Sequence, residues 1–286
     1  MKPVTTAAAV GENHDRRHGR GHPVAGVDEE TAMTTASDGT SGGEARSVFV
    51  DNAGVRLHVL DNGCAGGAPP VLVVPGMGEY AGEYAWLLDR LGERRVVVAD
   101  LRGRGGSDTP ESGYTWADHI GDLRAVVTAL GLRRPVLVAF SRGSSYALGY
   151  ALESPGAVAG LVVGDYQARH VGLPAAFADQ QLGARIRGVA VAERMPEHAV
   201  RRVVAESREV PLWDRLAELR CPVLVLRGDR PSSIVTDELA QRWRAALPSV
   251  DVVTIAGAGH DLWSRDPGAY LAALLPFLDR LGPPVS

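Results

Sequence analysis

The chain has 286 residues, a formal net charge of −4 and a hydrophobic fraction of 45%, values that are ordinary for a soluble globular protein. No run of 18 apolar residues is present to cross a membrane, and two cysteines are too few for a disulfide scaffold. The near-neutral charge argues against nonspecific nucleic-acid binding, and the absence of paired cysteine or histidine motifs argues against a structural zinc site.

Residues 1–45 form a compositional zone rich in Thr, Ala, Gly, Ser and His. The zone has too few large apolar side chains to offset the entropy of ordering, so we predict a disordered tail. It lacks the apolar stretch of a secretory signal, and we therefore expect a cytoplasmic protein whose folded domain spans residues 46–286.

From residue 47 onward, short apolar runs alternate with helical patterns. Ser47–Asp51 and Val55–Asp61 flank Asn52-Ala53-Gly54 and predict a hairpin. Further strands are predicted at Pro70–Val74, Arg95–Ala99, Pro135–Phe140, Val158–Val163, Pro222–Leu226 and Val250–Ile255, and helices at Glu83–Leu91, Trp116–Leu130, Ser144–Leu152, Thr236–Ala246 and Pro267–Leu281. This alternation predicts an α/β fold in which a mostly parallel sheet carries helices on both faces and the hairpin forms an antiparallel edge.

One stretch, between Val163 and Pro222, breaks the alternation. It shows no strand pattern and two helical patterns, Pro174–Ile186 and Pro196–Glu206. We predict a small helical cap, inserted at about residues 166–215 over the carboxyl edge of the sheet, where open α/β folds bind ligands. The arginines of the cap are either candidates for binding an anionic substrate or surface residues in a chain whose only lysine is Lys2: Arg169, Arg185, Arg187, Arg194, Arg201, Arg202 and Arg208.

Ser141 lies where a predicted buried strand meets a predicted helix, in Val138-Ala139-Phe140-Ser141-Arg142-Gly143. Small residues two before and two after the serine allow strand and helix to approach, as a nucleophile elbow requires. The usual pattern is G-x-S-x-G, and Ala139 replaces its first glycine. The sequence therefore predicts Ser141 as a nucleophile, the alternative being a serine that merely begins the helix.

His260 follows the last predicted strand, in Ala256-Gly257-Ala258-Gly259-His260. A serine hydroxyl needs a base to remove its proton, and histidine is suited to that at neutral pH. His170 and His198, the other histidines after Ser141, fall in the predicted cap. We therefore predict His260 as the general base.

These features together resemble the α/β-hydrolase superfamily, from about Val48 to the C-terminus. The resemblance rests on Val73–Gly78, on the loop Asp100–Asp108, on the elbow at Ser141 and on Gly259-His260. It implies an oxyanion hole made by the backbone N–H groups of Met77 and Arg142. Most relatives begin the first of these loops with His-Gly, where this chain has Pro75-Gly76, and a backbone donor survives that change.

The acid of the implied triad has two candidates. Relatives usually carry it three residues after the glycine that closes the strand here ending at Leu226; that glycine is Gly228, and the expected position holds Pro231. A minority of relatives carry the acid after the strand that follows the elbow helix, which is Asp165 in this chain. Asp165 is preferred and Asp229 is the alternative.

The resemblance implies a serine hydrolase that cleaves a small or medium carboxylic ester, lactone or thioester through an acyl-enzyme, without cofactor or metal. Carbon–carbon bond hydrolysis and cofactor-free perhydrolysis are alternatives on the same triad. A non-catalytic ligand-binding protein is the alternative of another class, because fold alone does not establish activity. The expected partner is a small acyl substrate and neither a nucleic acid nor a membrane.

Overall fold

An eight-stranded sheet forms the centre of the computed structural model, which describes residues 45–282. Its strands are β1 (Arg46–Asn52), β2 (Val55–Asp61), β3 (Val71–Val74), β4 (Val96–Ala99), β5 (Val136–Phe140), β6 (Gly160–Gly164), β11 (Val223–Gly228) and β12 (Asp251–Ile255), and four short strands described below take the numbers between. The order across the sheet is β1-β2-β4-β3-β5-β6-β11-β12. Strand β2 runs antiparallel to both β1 and β4, and the remaining neighbouring pairs of this sheet are parallel. The predicted mostly parallel sheet with an antiparallel edge is confirmed.

Helices cover both faces of this sheet. They are α1 (Ala85–Leu88), α2 (Trp116–Ala129), α3 (Gly143–Glu153), α6 (Asp237–Ala246) and α7 (Pro267–Arg280), and two further helices, which take the numbers between, lie in the segment between β6 and β11. Alternate residues of β3 point to opposite faces: Leu72 and Val74 join a core with α2, α3 and α6, while Val71 and Val73 join a core with α1 and α7. Strands buried on both faces explain the continuous apolar runs in the sequence.

The segment between β6 and β11 packs around a small apolar core of its own. It contains α4 (Ala176–Leu182) and α5 (Glu197–Glu206), which lie within the two predicted helical patterns. Val191, Met195 and Val203 are fully buried there, and Met77 from the loop after β3 packs against them. The segment therefore rests on the loop that the sequence implicates in the oxyanion hole.

Two expectations about elements are wrong. The segment between β6 and β11 does contain strands, each of two residues: β7 (Arg169–His170), β8 (Arg185–Ile186), β9 (Val189–Ala190) and β10 (Val210–Pro211). Two residues carry no readable alternation, so the pattern missed them. The helix predicted at Glu83–Leu91 is a 3-10 turn at Ala81–Tyr84 followed by the single turn α1, because apolar spacing predicts a buried face but not how far helical hydrogen bonding extends.

The predicted tail falls almost wholly outside the described residues. Within them, Cys64 and Cys221 are unpaired. None of the described helices is long and apolar enough to cross a membrane.

Candidate active site

Ser141 lies at the junction of β5 and α3, in a strained backbone conformation with φ of +49°. Such a positive φ is uncommon for a residue with a side chain, and it fits the sharp strand-to-helix turn of a nucleophile elbow. The turn is tight because α3 begins against the end of β3. A Cβ on Gly143 would lie 2.4 Å from the carbonyl oxygen of Pro75, so only glycine fits there.

Sheet register brings the predicted residues to one edge. Phe140 on β5 lies opposite Gly164 on β6, and Gly164 lies opposite Leu226 on β11. Ser141 and Asp165 each follow one of these paired positions, so they emerge side by side at the carboxyl edge, where the topology of open α/β folds places ligand sites.

His260 joins these two residues. Its Nε2 lies 3.0 Å from Ser141 Oγ, and its Nδ1 lies 2.8 Å from Asp165 Oδ2. The imidazole stacks on the Phe140 ring at 4.9 Å between centroids, which fixes its plane. This arrangement orients a base toward a hydroxyl and a carboxylate toward the base.

Asp165 is fully buried and accepts hydrogen bonds from several directions. Besides His260, it receives the Ser233 hydroxyl at 2.5 Å and the backbone N–H groups of Ile234 and Val235 at 2.8 and 3.0 Å. Asp229 lies elsewhere: it accepts the backbone N–H of Gly257 at 2.8 Å, in the turn before His260. Of the two predicted acids, the structure brings Asp165 to the histidine and uses Asp229 to shape the turn.

Met77 and Arg142, the predicted oxyanion donors, line the same cavity as Ser141. Arg142 follows Ser141 and caps α3, where backbone N–H groups have no partner within the helix. The Met77 loop is equally close, since a Cβ built on Gly76 would lie 3.1 Å from the Ser141 Cβ. In the part of the chain that the structure describes, neither backbone N–H donates a hydrogen bond within the protein.

The Arg142 side chain takes part in a buried network that the sequence did not reveal. Its guanidinium donates to Tyr146 Oη at 3.1 Å and to His170 Nε2 at 2.7 Å. Burial, together with the Arg142 charge, lowers the pKa of His170 to about 3. His170 is therefore neutral at physiological pH, and its Nδ1–H donates to the Ser145 hydroxyl at 2.9 Å.

A cavity of about 460 Å³ opens in front of Ser141, within the range of small-molecule sites. Its wall is mostly apolar and combines the core with the cap: Gly76, Met77, Glu79, Phe140, Ser141, Arg142, Tyr166, Gln167, Val171, Leu173, Phe177, Gln181, Ala184, Ile186, Arg187, Ile234, His260 and Asp261. The predicted nucleophile, base and oxyanion donors therefore share one cavity.

Arg187, one of the seven cap arginines, lines this cavity but is already paired. It meets Glu79 at 2.7 Å and Glu83 and Asp261 at 3.2 Å each. Its guanidinium also lies 4.3 Å from the centre of the Trp263 ring. Arg187 thus joins the segment between β6 and β11 to the loops that carry Glu79 and Asp261. Because its guanidinium is already paired with carboxylates, it is not free to bind an anionic substrate.

A second serine–histidine–aspartate chain lies outside the cavity. Ser47 Oγ is 3.0 Å from His58 Nε2, and His58 Nδ1 is 2.8 Å from Asp100 Oδ2. Ser47 lies within the edge strand β1, opposite Leu60, and no helix begins beside it. In this respect it differs from Ser141, which lies just before α3. Among the described residues, no group of three or more His, Cys, Asp or Glu side chains is arranged to hold a metal ion.

Comparison with known proteins bears on the family to which the chain belongs. The model of the alpha/beta hydrolase family matches residues 71–274. The chain belongs to this family. The predicted superfamily and fold are confirmed, and hydrolase activity is supported.

Two curated proteins are similar to this hydrolase at 27% identity. One is the N-formylmaleamate deformylase of Pseudomonas putida, matched over 79% of this chain and 94% of that protein. The other is the 2-(acetamidomethylene)succinate hydrolase of Mesorhizobium japonicum, matched over 80% and 94%. Among solved structures, an esterase from Exiguobacterium antarcticum superposes with a TM-score of 0.70 at 18% identity, over 82% of this chain and 100% of that one. The last likeness concerns the fold alone.

Proposed function

We propose that this hydrolase cleaves a small or medium carboxylic ester, lactone or thioester through an acyl-enzyme formed on Ser141. The observation that carries the proposal is the hydrogen-bonded chain Ser141–His260–Asp165, with Ser141 at a positive φ in the wall of a mostly apolar cavity. A Ser–His–Asp constellation is recognised by geometry and roles. The cavity volume supports an acyl group of small or medium size.

In the proposed reaction, His260 takes the Ser141 proton as Oγ adds to the carbonyl carbon. The electron pair of the carbonyl moves to its oxygen, which the N–H groups of Met77 and Arg142 stabilise. Collapse re-forms the carbonyl and expels the leaving group, which receives the proton from His260. A water molecule, deprotonated by His260, then repeats the addition and releases the acid, restoring Ser141.

A second candidate is cleavage of an N-acyl bond by the same steps. It is favoured by the names of the two curated relatives, a deformylase and a hydrolase of an acetamido compound. The chemistry differs only in the leaving group, an amine that needs the His260 proton more than an alcohol does.

A matched substrate series tests and ranks these candidates. Aryl esters of increasing acyl length, lactones and the corresponding anilides are assayed with the wild type and with Ser141→Ala. The proposal predicts ester turnover that Ser141→Ala abolishes and a decline once the acyl chain exceeds the cavity. Faster turnover of anilides would favour the second candidate. Turnover that survives in Ser141→Ala, or none with any substrate, would overturn both.

A further inference from the structure

Arg104 is a buried arginine that the mechanism above does not use. It lies in the loop Asp100–Asp108, is 1% exposed, and forms no ion pair within 4.0 Å among the described residues. One flanking glycine, Gly105, has φ of +56°, and a Cβ there would lie 2.1 Å from an Asp100 carboxylate oxygen. The loop is thus tightly packed at Gly105, and the Arg104 side chain beside it is buried.

The guanidinium of Arg104 is held between two acceptors. One N–H donates to the carbonyl oxygen of Gly76 at 2.9 Å, and another to Nε2 of His119 at 3.3 Å. Burial lowers the pKa of His119 well below its usual range, and the Arg104 charge adds to this. His119 is therefore neutral; its Nδ1–H donates to the Thr115 carbonyl at 2.8 Å, which leaves Nε2 as the acceptor.

The Gly76 carbonyl belongs to the same peptide group as the Met77 N–H. In a planar trans peptide these two groups point in opposite directions. A donor that fixes the carbonyl on one side therefore fixes the direction of the N–H on the other. A charged donor also polarises the peptide, because hydrogen bonds in series strengthen one another. The loop is fixed at a second point, where the Gly76 N–H donates to Glu79 Oε2 at 2.7 Å.

We propose that Arg104 is a positioning residue for the oxyanion hole: its hydrogen bond to the Gly76 carbonyl aims the Met77 N–H at the developing oxyanion. This rests on the proposed function, since it presumes that Ser141 adds to a carbonyl. Arg104 does not line the cavity in front of Ser141, so it would act only through the Met77 N–H, on the state that carries negative charge on oxygen.

The test compares binding of a transition-state analogue with binding of the product acid. A trifluoromethyl ketone forms a tetrahedral adduct with the serine, whereas the product acid forms none. Arg104→Met should lower kcat and the affinity for the ketone by the same factor, about 10-fold to 100-fold, with KM and product affinity changed little. Arg104→Lys keeps the charge, but one ammonium cannot span both acceptors. Its kcat and its affinity for the ketone should therefore lie between those of Arg104→Met and wild type. This variant also provides the test if Arg104→Met fails to fold.

Arg102→Lys is the matched control. Arg102 lies in the same loop and is buried in an ion pair with Asp122 at 2.6 Å, without contact to the Gly76 peptide. The Arg102→Lys variant should have a lower Tm, while its ratio of ketone to product affinity should stay at the wild-type value. A ratio of ketone to product affinity that falls below the wild-type value in Arg102→Lys would overturn the role of Arg104. A ratio that stays at the wild-type value in both Arg104 variants would overturn it as well. Failure of the wild type to bind the ketone would overturn the proposed function instead.

Discussion

At the scale of single residues, the assignment of the triad acid depends on one contact. Asp165 lies 2.8 Å from His260, while Asp229 accepts a backbone N–H in the preceding turn. An amide in place of the Asp165 carboxylate would present a donor to the ring and favour the wrong histidine tautomer. At Asp229, an asparagine oxygen can still accept the Gly257 N–H.

We therefore expect Asp165→Asn to lower kcat by roughly 10³-fold to 10⁴-fold and Asp229→Asn to leave it near the wild-type value. Steady-state kinetics on one aryl ester measures both, and thermal unfolding checks that each variant is folded. The reverse pattern, with turnover lost only in Asp229→Asn, would contradict the assignment.

The site residues that can be predicted from the sequence are those that lie in a recognisable local pattern. Ser141 is predicted by its position between a strand and a helix with small residues nearby. His260 is predicted by the glycines that precede it after a strand. The choice between Asp165 and Asp229 instead depends on how the turn at Ser233–Val235 wraps around Asp165, about 70 residues away along the chain. Arg187 reaches Glu79 across 108 residues, and no short motif encodes such a contact.

At the scale of secondary-structure elements, the site depends on how closely α3 approaches the end of β3. A Cβ at Gly143 would meet the carbonyl oxygens of Pro75 and Val74 at 2.4 and 2.5 Å, and backbone atoms cannot rotate away. A short continuous apolar run predicted β3, and a helical pattern predicted α3. The spacing between them follows from tertiary packing, and so do the two-residue strands of the cap, which have no periodicity to read.

Gly143→Ala should therefore reduce the free energy of unfolding by about 1–3 kcal/mol and lower turnover by moving Ser141 away from the Met77 loop. Urea denaturation and ester kinetics measure the two effects. Gly67→Ala is the control, because a Cβ at Gly67 would have no atom within 4 Å. If both variants had the same free energy of unfolding and the same turnover, the close approach of α3 to β3 would not constrain this position.

At the scale of the whole molecule, buried neutral histidines link stability to pH. The pKa of His170 is lowered to about 3 by burial and by Arg142, whereas an unfolded histidine titrates near 6.5. Between these values the unfolded chain binds more protons than the folded one. Stability is therefore lost as pH falls from about 6.5 toward 3, with a slope of about 1.4 kcal/mol per pH unit for this one group.

His170→Gln should remove that contribution, because the amide can replace both hydrogen bonds without binding a proton. Urea denaturation between pH 7 and 5 should give a slope shallower than wild type by up to about 1.4 kcal/mol per pH unit. An unchanged slope in His170→Gln would mean that His170 is not held neutral in the fold.

The central claim is that Ser141 is the nucleophile, and covalent labelling tests it most directly. Intact mass is measured after exposure to a fluorophosphonate, which reacts with activated serines, for wild type, Ser141→Ala and Ser47→Ala. Ser47 provides the internal comparison because it also faces a histidine and an aspartate. We expect one adduct on wild type and on Ser47→Ala and none on Ser141→Ala. An adduct that persists on Ser141→Ala, or an unlabelled wild type, would contradict the account.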